Sequence, residues 1–517
     1  MFSGTINALL FIVKEDNTMA LTDATSAHDV SLNTDLYEFT MAQGYWDAGL
    51  VDMQSCFTVF FRSNPFDGGY AIACGMAQIA ELVENFSFDD TIIDYLASLK
   101  APAGGAMFKP GFLDYLRTFR MHVDIWAVPE GDVVFPREPI VRVQGPLIDC
   151  QLLETALLNT VNFQTLLATK TARVVSAAQG RPVFEFGLRR AQGYDGGLSV
   201  ARASYIGGAG ATSNLLAGKI YDIPVFGTHA HSWVMSFPSQ LDAFRAYAQS
   251  SPYNCVLLLD TYDVNLGIQD AITVAHEMEA RGEHLLGVRL DSGDLAKLSK
   301  RVRQAFDQEN LSYVKISVSN DLDEFTIQSL LAQHAPIDSF GVGTKLATCD
   351  PQPALGGVYK LTAIRNNSAD AWTPTIKLSE MAYKRTIPGI QRILRFVDSH
   401  NNLVGDMIAT ECDASNAPSH MVDVLDDLVS YKLHDATCSE LLEQIVKQGQ
   451  RTKEPDSLEV ARARSLDAQA HLDPAIRRFL NPQVYPVGLE PRLSELTRKL
   501  VQSHATIQSS CDQTRRR

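Results

Sequence analysis

The chain has 517 residues, 45% apolar and 20% charged, a globular balance that excludes a disordered polymer and allows roughly three domain-sized units. Its formal net charge of −15 excludes general attraction to nucleic acid or to anionic membranes, so neither is expected as a partner. Any polyanionic substrate must then be held by a local cluster of Arg, Lys and backbone N–H groups, with a divalent cation assisting.

The N-terminal run Ala8 to Val13 is too short for a membrane span or a signal core. The periodic pattern begins only near Val30, so residues 1–30 are expected to be a disordered extension, and Met19 offers an alternative start. Eight cysteines (Cys56, Cys74, Cys150, Cys255, Cys349, Cys412, Cys438 and Cys511) form no C-x-x-C pair, which predicts reduced thiols in a cytoplasmic protein. Residues 31–155 mix helix-like stretches (Leu36–Trp46, Met76–Asn85) with extended runs at Cys56–Phe61, Val123–Ala127 and Ile140–Gln144, predicting an N-terminal α/β domain. A helical stretch follows around Leu152–Ala178. Short apolar runs then alternate with helical patterns at Val183–Phe186, Val225–Gly227, Cys255–Leu259, Gly287–Leu290, Lys315–Val318 and Ser339–Gly341. That alternation predicts an α/β fold whose catalytic domain, residues 156–374, is an irregular and incomplete TIM-like barrel. Residues 375–517 are expected to be a smaller region, with an acidic, helix-rich tail, folding back on the first domain.

Each barrel run ends in residues suited to chemistry, as expected where active sites gather at the C-terminal ends of parallel strands. Common motif scans are negative. Gly210 to Lys219 lacks the P-loop spacing, Gly197–Ala201 is no nucleophile elbow, and His276-Glu277 lacks a second zinc-binding histidine. Longer segments carry the information: Asn33-Thr34-Asp35-Leu36-Tyr37-Glu38, Phe61-Arg62-Ser63-Asn64-Pro65-Phe66, Phe184-Glu185-Phe186-Gly187-Leu188-Arg189-Arg190 and Gly207-Gly208-Ala209-Gly210-Ala211-Thr212-Ser213-Asn214. After them come Gly227-Thr228-His229-Ala230-His231-Ser232, Leu259-Asp260-Thr261-Tyr262-Asp263 and Gly287-Val288-Arg289-Leu290-Asp291-Ser292-Gly293-Asp294. Ser319-Asn320-Asp321, Phe340-Gly341-Val342-Gly343-Thr344-Lys345-Leu346 and Lys377-Leu378-Ser379-Glu380 complete the order.

From about Asn33 to Phe396 this ordered set resembles the nicotinate phosphoribosyltransferase family. The resemblance implies a type II phosphoribosyltransferase fold: an irregular α/β barrel with an open-faced α/β sandwich domain, in a homodimer with active sites shared between subunits. It implies an ATP-dependent ligase with glycosyltransferase chemistry in NAD biosynthesis. Nicotinate and phosphoribosyl pyrophosphate are the implied substrates, ATP the cosubstrate and Mg²⁺ the cofactor, with the metal's ligands left open. His231 matches the histidine phosphorylated during turnover, whereas His229 falls on a variable position of that pattern. Phe186 and a partner-subunit Tyr37 are implied as the ring sandwich for nicotinate. Gly227 and Ser232 belong to the same substrate-binding set.

The residue types suit those roles. Displacing pyrophosphate at an anomeric carbon passes through a cationic transition state, so the protein must position and stabilise charge. Arg189 and Arg289 match anion-contacting positions, and a guanidinium fork fits a carboxylate or phosphate in a way that lysine cannot. Asp260 and Asp291 would hold ribose hydroxyls or Mg²⁺, with helix capping the rival for Asp291. Ser319, Asn320, Gly341, Gly343 and Thr344 match the implied 5′-phosphate site, where glycines admit a close backbone and successive N–H groups make an anion nest.

Core packing is the rival reading for Phe186 and Tyr37, and a surface ion pair for either arginine. Asn214 stands where nicotinamide-using relatives are expected to carry aspartate, which favours the acid substrate. A lyase or aldolase would need a Schiff-base lysine, for which Lys345 is the strand-end candidate. A non-catalytic homologue that binds phosphoribosyl ligands also remains open.

Overall fold

The computed structural model describes residues 30–515 apart from Glu380, Ala382, Tyr383, Glu411 and His434, with side chains described through Ser503. All but the last residue of the expected 1–30 extension lies outside the described residues, as do Arg516 and Arg517 of the basic end, and the Cys511 side chain lies beyond the described side chains.

The first sheet is antiparallel, in the order Thr373–Pro374, Gly357–Arg365, Gln54–Phe61, Val141–Pro146, Asp124–Ala127, Glu443–Lys447 and Gln450–Arg451. Its strand Gln54–Phe61, rich in β-branched and aromatic side chains, is buried along nearly its whole length, and Phe57 stacks on Tyr359 of the adjacent strand at 4.6 Å. Two of its strands come from beyond residue 440, so the end of the chain completes the sheet begun near its start.

The 24-residue helix Glu154–Ala177 connects this sheet to the second. Every residue from Gln164 to Val174 is buried, so its polar side chains need internal partners. Thr165 and Thr169 accept the backbone N–H groups of Cys74 (3.2 Å) and Ile72 (2.9 Å). Lys170 and Arg173 reach across to Glu324, at the start of helix Glu324–Ala332.

The second sheet is wholly parallel, in the order Ala211–Thr212, Val183–Glu185, Ser339–Val342, Lys315–Val318, Gly287–Leu290 and Val256–Leu258. The segment after Pro224 then spans from one edge of this sheet to the other. The Thr212 N–H donates to Pro224 O and the Phe226 N–H to Thr212 O, each at 3.0 Å. At the far edge the Leu258 N–H donates to the His229 imidazole Nε2 at 3.2 Å. The segments thus follow one another around a ring in chain order, an irregular TIM-like barrel whose last junction is bridged by a side chain instead of a ladder.

Two expectations need correction. Val225–Gly227 makes only a single bridge, Thr212 to Val225, because Pro224 has no N–H and the chain turns into the site at Gly227. The C-terminal stretch is not helix-rich throughout. Arg392–Val397, Leu403–Ala409, His420–Asp423, Ser430–Lys432, Thr437–Glu440 and Val487–Leu489 form a third sheet, with α-helices among the described residues at Leu458–Ala470 and Pro491–Arg515. Its acidic residues sit largely in turns. Asp423 accepts the N–H groups of Leu425 and Asp426, and Asp426 accepts that of Leu428. Meanwhile Leu394, Met407 and Met421 pack in a small core of their own. No helix among the described residues is long and apolar enough to cross a membrane.

Candidate active site

Beyond the C-terminal ends of the parallel strands lies a cleft of about 350 Å³. It is lined by Phe186, Arg189, Arg190, Ser213, Gly227, Thr228, His229, Ala230, Arg289, Asp291, Ser319, Asn320, Asp321, Gly341, Gly343 and Thr344. Its side chains come from the turns after five strands and from the segment that bridges the barrel gap, the arrangement that parallel α/β rings give their sites.

One wall is aromatic and cationic. Glu185 is buried under the turn and accepts from the Thr212 hydroxyl and the Gly187 N–H, which fixes the direction in which Phe186 and Arg189 leave the strand. Burial raises the Glu185 pKa. The Phe186 ring lies over the backbone of Gly341, where an added Cβ would come within 2.6 Å of it, so this position has no room for a side chain. Phe184 and Phe226 stack behind it at 4.5 Å. Arg289 is half-buried; burial pulls its pKa down, and the Asp291 and Asp260 carboxylates push back. Its Nη2 donates to His229 O at 3.1 Å, while its buried Nε has no partner.

Through Asp291 a carboxylate and imidazole network joins the same cleft. Asp260 accepts the Asp291 N–H at 2.9 Å and the Ser292 hydroxyl through Oδ2, leaving its buried Oδ1 without a partner. Asp291 accepts the Ser319 hydroxyl through Oδ1 and lies 3.6 Å from His231 Nε2 through Oδ2. The helix cap considered for Asp291 belongs to Asp294, whose side chain accepts the Lys297 N–H. His231 opens the helix His231–Met235, with Nδ1 3.2 Å from the Thr261 hydroxyl. Its neighbour His229 is buried, and burial pushes its pKa down to about 4. His229 is therefore a neutral structural acceptor near pH 7.

The remaining edge is backbone. Asn320 follows Val318 and Ser319 in the left-handed region (φ +114°), a strained conformation for a non-glycine residue, and strain of this kind gathers at functional sites. Across from it Gly343 precedes the helix Thr344–Ala347, whose first N–H groups lack helical acceptors.

The structure thus brings together Phe186, Arg189, Gly227, Arg289, Asp291, Ser319, Asn320, Gly341, Gly343 and Thr344, with Asp260 and His231 joined to them through Asp291. Three expected binding residues stand apart within one chain. Tyr37, on helix Leu36–Asp47, lines a separate hollow beside Glu154; burial and Glu154 raise its hydroxyl pKa to about 12. Ser232 is exposed outside the cleft lining. Asn214 is buried and caps the helix Leu215–Tyr221, accepting from the Leu216 and Ala217 N–H groups and donating to Gly197 O. Sequence reasoning assigned no role to Arg190, Thr228 and Asp321, which line the cleft, or to Thr261, which holds His231. All four lie inside the quoted motifs, so position after a strand end was the available signal.

Metal fit turns on the unpartnered Asp260 Oδ1. Among the described residues no cluster of three or more metal-ligating side chains exists. One or two carboxylates suit Mg²⁺, which commonly keeps waters and takes its other ligands from substrate phosphates.

Comparison with known proteins gives a consistent family. The N-terminal domain model of nicotinate phosphoribosyltransferase matches residues 32–162, the family model 182–378 and the C-terminal domain model 390–497. A Bacillus subtilis protein named nicotinate phosphoribosyltransferase is 40% identical over 464 residues, 89% of this chain and 93% of that one. A Caenorhabditis elegans protein of the same name is 36% identical, covering 92% and 94%. The crystal structure of human nicotinic acid phosphoribosyltransferase superposes with a TM-score of 0.79 at 32% identity, covering 90% of this chain and 99% of that one. A Pyrococcus furiosus nicotinate-nucleotide pyrophosphorylase shares the fold, with a TM-score of 0.65 at 20% identity. By sequence and by architecture, the chain belongs to the nicotinate phosphoribosyltransferase family.

Proposed function

We propose that this chain transfers the phosphoribosyl group of phosphoribosyl pyrophosphate to nicotinate in NAD biosynthesis, and couples the transfer to ATP hydrolysis through a phosphohistidine at His231. The observation that carries the reading is one cleft that holds Phe186, Arg189 and Arg289 together with Asp291, through which Asp260 and the half-buried His231 imidazole join it. A flat ring bearing a carboxylate matches the aromatic and cationic side chains, and carboxylates suit the ribose hydroxyls.

In this reading nicotinate lies on Phe186 with its carboxylate toward the arginines. The 5′-phosphate takes backbone N–H groups near Gly341, Gly343 and Thr344 and side-chain donors from Ser319 and Asn320. The bond from the anomeric carbon to pyrophosphate breaks, pyrophosphate leaves with the electron pair, and the pyridine nitrogen forms the new bond. Asp260 and Asp291 orient the ribose hydroxyls and would hold Mg²⁺, which would neutralise charge on the leaving pyrophosphate. For coupling, His231 carries its proton on Nδ1 toward Thr261, leaving the Nε2 lone pair to attack the γ-phosphorus of ATP. ADP leaves, and water later cleaves the phosphorus–nitrogen bond to release phosphate.

Tyr37, remote from Phe186 within one chain, would reach a neighbouring site across a two-fold axis, giving a cytoplasmic homodimer with shared sites. Lys345 does not suit a Schiff-base lyase. Its ammonium is held by Asp323 at 2.6 Å, and that bond raises its pKa, keeping it charged. Incubation with nicotinate, nicotinamide, phosphoribosyl pyrophosphate, ATP and Mg²⁺ tests the proposal. Nicotinate mononucleotide, pyrophosphate and ADP should accumulate; preferential consumption of nicotinamide, or no nucleotide product, would overturn it.

A further inference from the structure

At the opposite end of the parallel sheet from the cleft, before the strand Val183–Glu185 begins, lies a second hollow of about 390 Å³. Ser176 and Gln179, at the end of the long helix, form one side; Gln328 of helix Glu324–Ala332 forms another; Arg477, Arg478 and Phe479 close it. No carboxylate lines it. In a chain of net charge −15, a purely cationic concavity is the exception.

The charge behind it is also unbalanced. Lys170 and Arg173, both buried, share the single carboxylate of Glu324 at 2.5 and 2.9 Å. The Nη2 of Arg173 is buried without a partner, and its guanidinium sits 5.0 Å from the centre of the Phe479 ring, on the wall of the hollow. Arg477 presents a second buried and unpartnered donor, its Nε. Among the described residues neither Arg477 nor Arg478 has an ion pair; Arg478 Nε donates to Ala475 O, and neither caps the end of the long helix. The nearest acid in sequence, Asp473, accepts the Ala475 N–H. Uncompensated buried cations are costly, and an anion in the hollow would offset them.

We propose that this hollow binds a phosphate monoester carrying a planar base, the chemistry of a nucleoside monophosphate. Guanidinium forks match a phosphate, and two carboxamides with the Ser176 hydroxyl supply further polar contacts. Phe479, Pro474 and the exposed Leu480 give the base an apolar wall, and the volume lies in the range of small-ligand sites. The site is separate from the cleft, so its test reads binding and not turnover.

Calorimetric titration of the full chain with AMP, with inorganic phosphate and adenosine as separate arms, provides that test. Arg189→Gln/Arg289→Gln, which disables the cleft, should still bind one AMP per chain. Arg477→Gln/Arg478→Gln should weaken that binding by at least about tenfold, the scale of a lost charge-assisted contact. Gln179→Glu, an exposed change that leaves the core untouched, should weaken it in the same direction by facing the phosphate with a carboxylate. AMP should bind at least about tenfold more tightly than phosphate or adenosine alone. Loss of AMP binding in the cleft variant, unchanged binding in both hollow variants, or phosphate binding as tightly as AMP would each overturn the proposal.

Discussion

Replacing Asn214 with aspartate exchanges one NH₂ group for an oxygen, and the surroundings of that group set the consequence. The side chain is buried at the start of the helix Leu215–Tyr221, with Oδ1 accepting from Leu216 N at 3.1 Å and Ala217 N at 3.2 Å. Aspartate keeps this cap, and its charge at a helix N-terminus is worth roughly 0.3–1 kcal/mol. The Nδ2 group, however, donates to Gly197 O at 3.2 Å. A carboxylate there removes the hydrogen bond and turns an oxygen toward a buried carbonyl, a loss of about 1–3 kcal/mol with a further desolvation cost for the new charge. The balance is a net destabilisation on the order of 1–2 kcal/mol. A lower urea midpoint at unchanged slope should report it. Because the carboxamide is engaged with backbone outside the cleft lining, kcat/KM for nicotinate and nicotinamide should move together. An unchanged midpoint with a selective loss of nicotinate turnover would refute this reasoning and return Asn214 to the role of reading the ring substituent.

His231→Ala should abolish nicotinate-stimulated ATP hydrolysis and acid-labile phosphate on the protein while leaving its thermal melt intact; retained ATPase activity would remove His231 from that role. Gly341→Ala would push a methyl against the Phe186 ring, so nicotinate KM should rise by the equivalent of about 1–3 kcal/mol, while a normal KM would mean that ring is not the nicotinate face. Tyr37→Ala and His231→Ala chains, each poor alone at low nicotinate, should recover activity when refolded together, because one site of each hybrid dimer carries neither lesion; no recovery despite hybrids seen by native mass measurement would place the site within one chain. His229, unprotonated in the fold down to about pH 4 but titrating near 6.5 when unfolded, makes the unfolded chain bind more protons between those values. Its contribution to stability is therefore complete above pH 6.5 and lost as pH falls toward 4, and His229→Gln should flatten that part of the urea-midpoint profile; an unchanged profile would contradict a buried neutral His229.

The strand-end residues were legible because a parallel α/β ring ties position along the chain to position in space: whatever follows each β-type run arrives on one face. Phe186, Arg289, Asp291, Ser319 and Gly341 could be grouped on that rule, and they line one cleft. Asn214 was harder, since the same residue type caps helices and binds ligands, and only coordinates show its hydrogen bonds already taken. The C-terminal region misled for a related reason. Acidic residues suit helix surfaces and tight turns alike, and here Asp423 and Asp426 serve turns between short strands.

His229 and His231 show most directly what spacing alone leaves open. The two are separated by one residue on an extended stretch, so their side chains share a face by period and composition cannot separate them. The chain breaks that symmetry at Ala230, the N-cap of the short helix that begins with His231. Before the turn, His229 points into the barrel wall, accepts the Leu258 N–H and spans the junction with Val256–Leu258. After it, His231 emerges between Thr261 and Asp291, partly exposed. Opening the ladder at this junction frees a backbone segment to turn outward, and the neutral His229 replaces the missing strand contact. The irregularity of the barrel and the accessibility of His231 therefore have the same cause: a closed ladder through residues 225–229 would hold the chain in the wall and carry His231 away from Asp291.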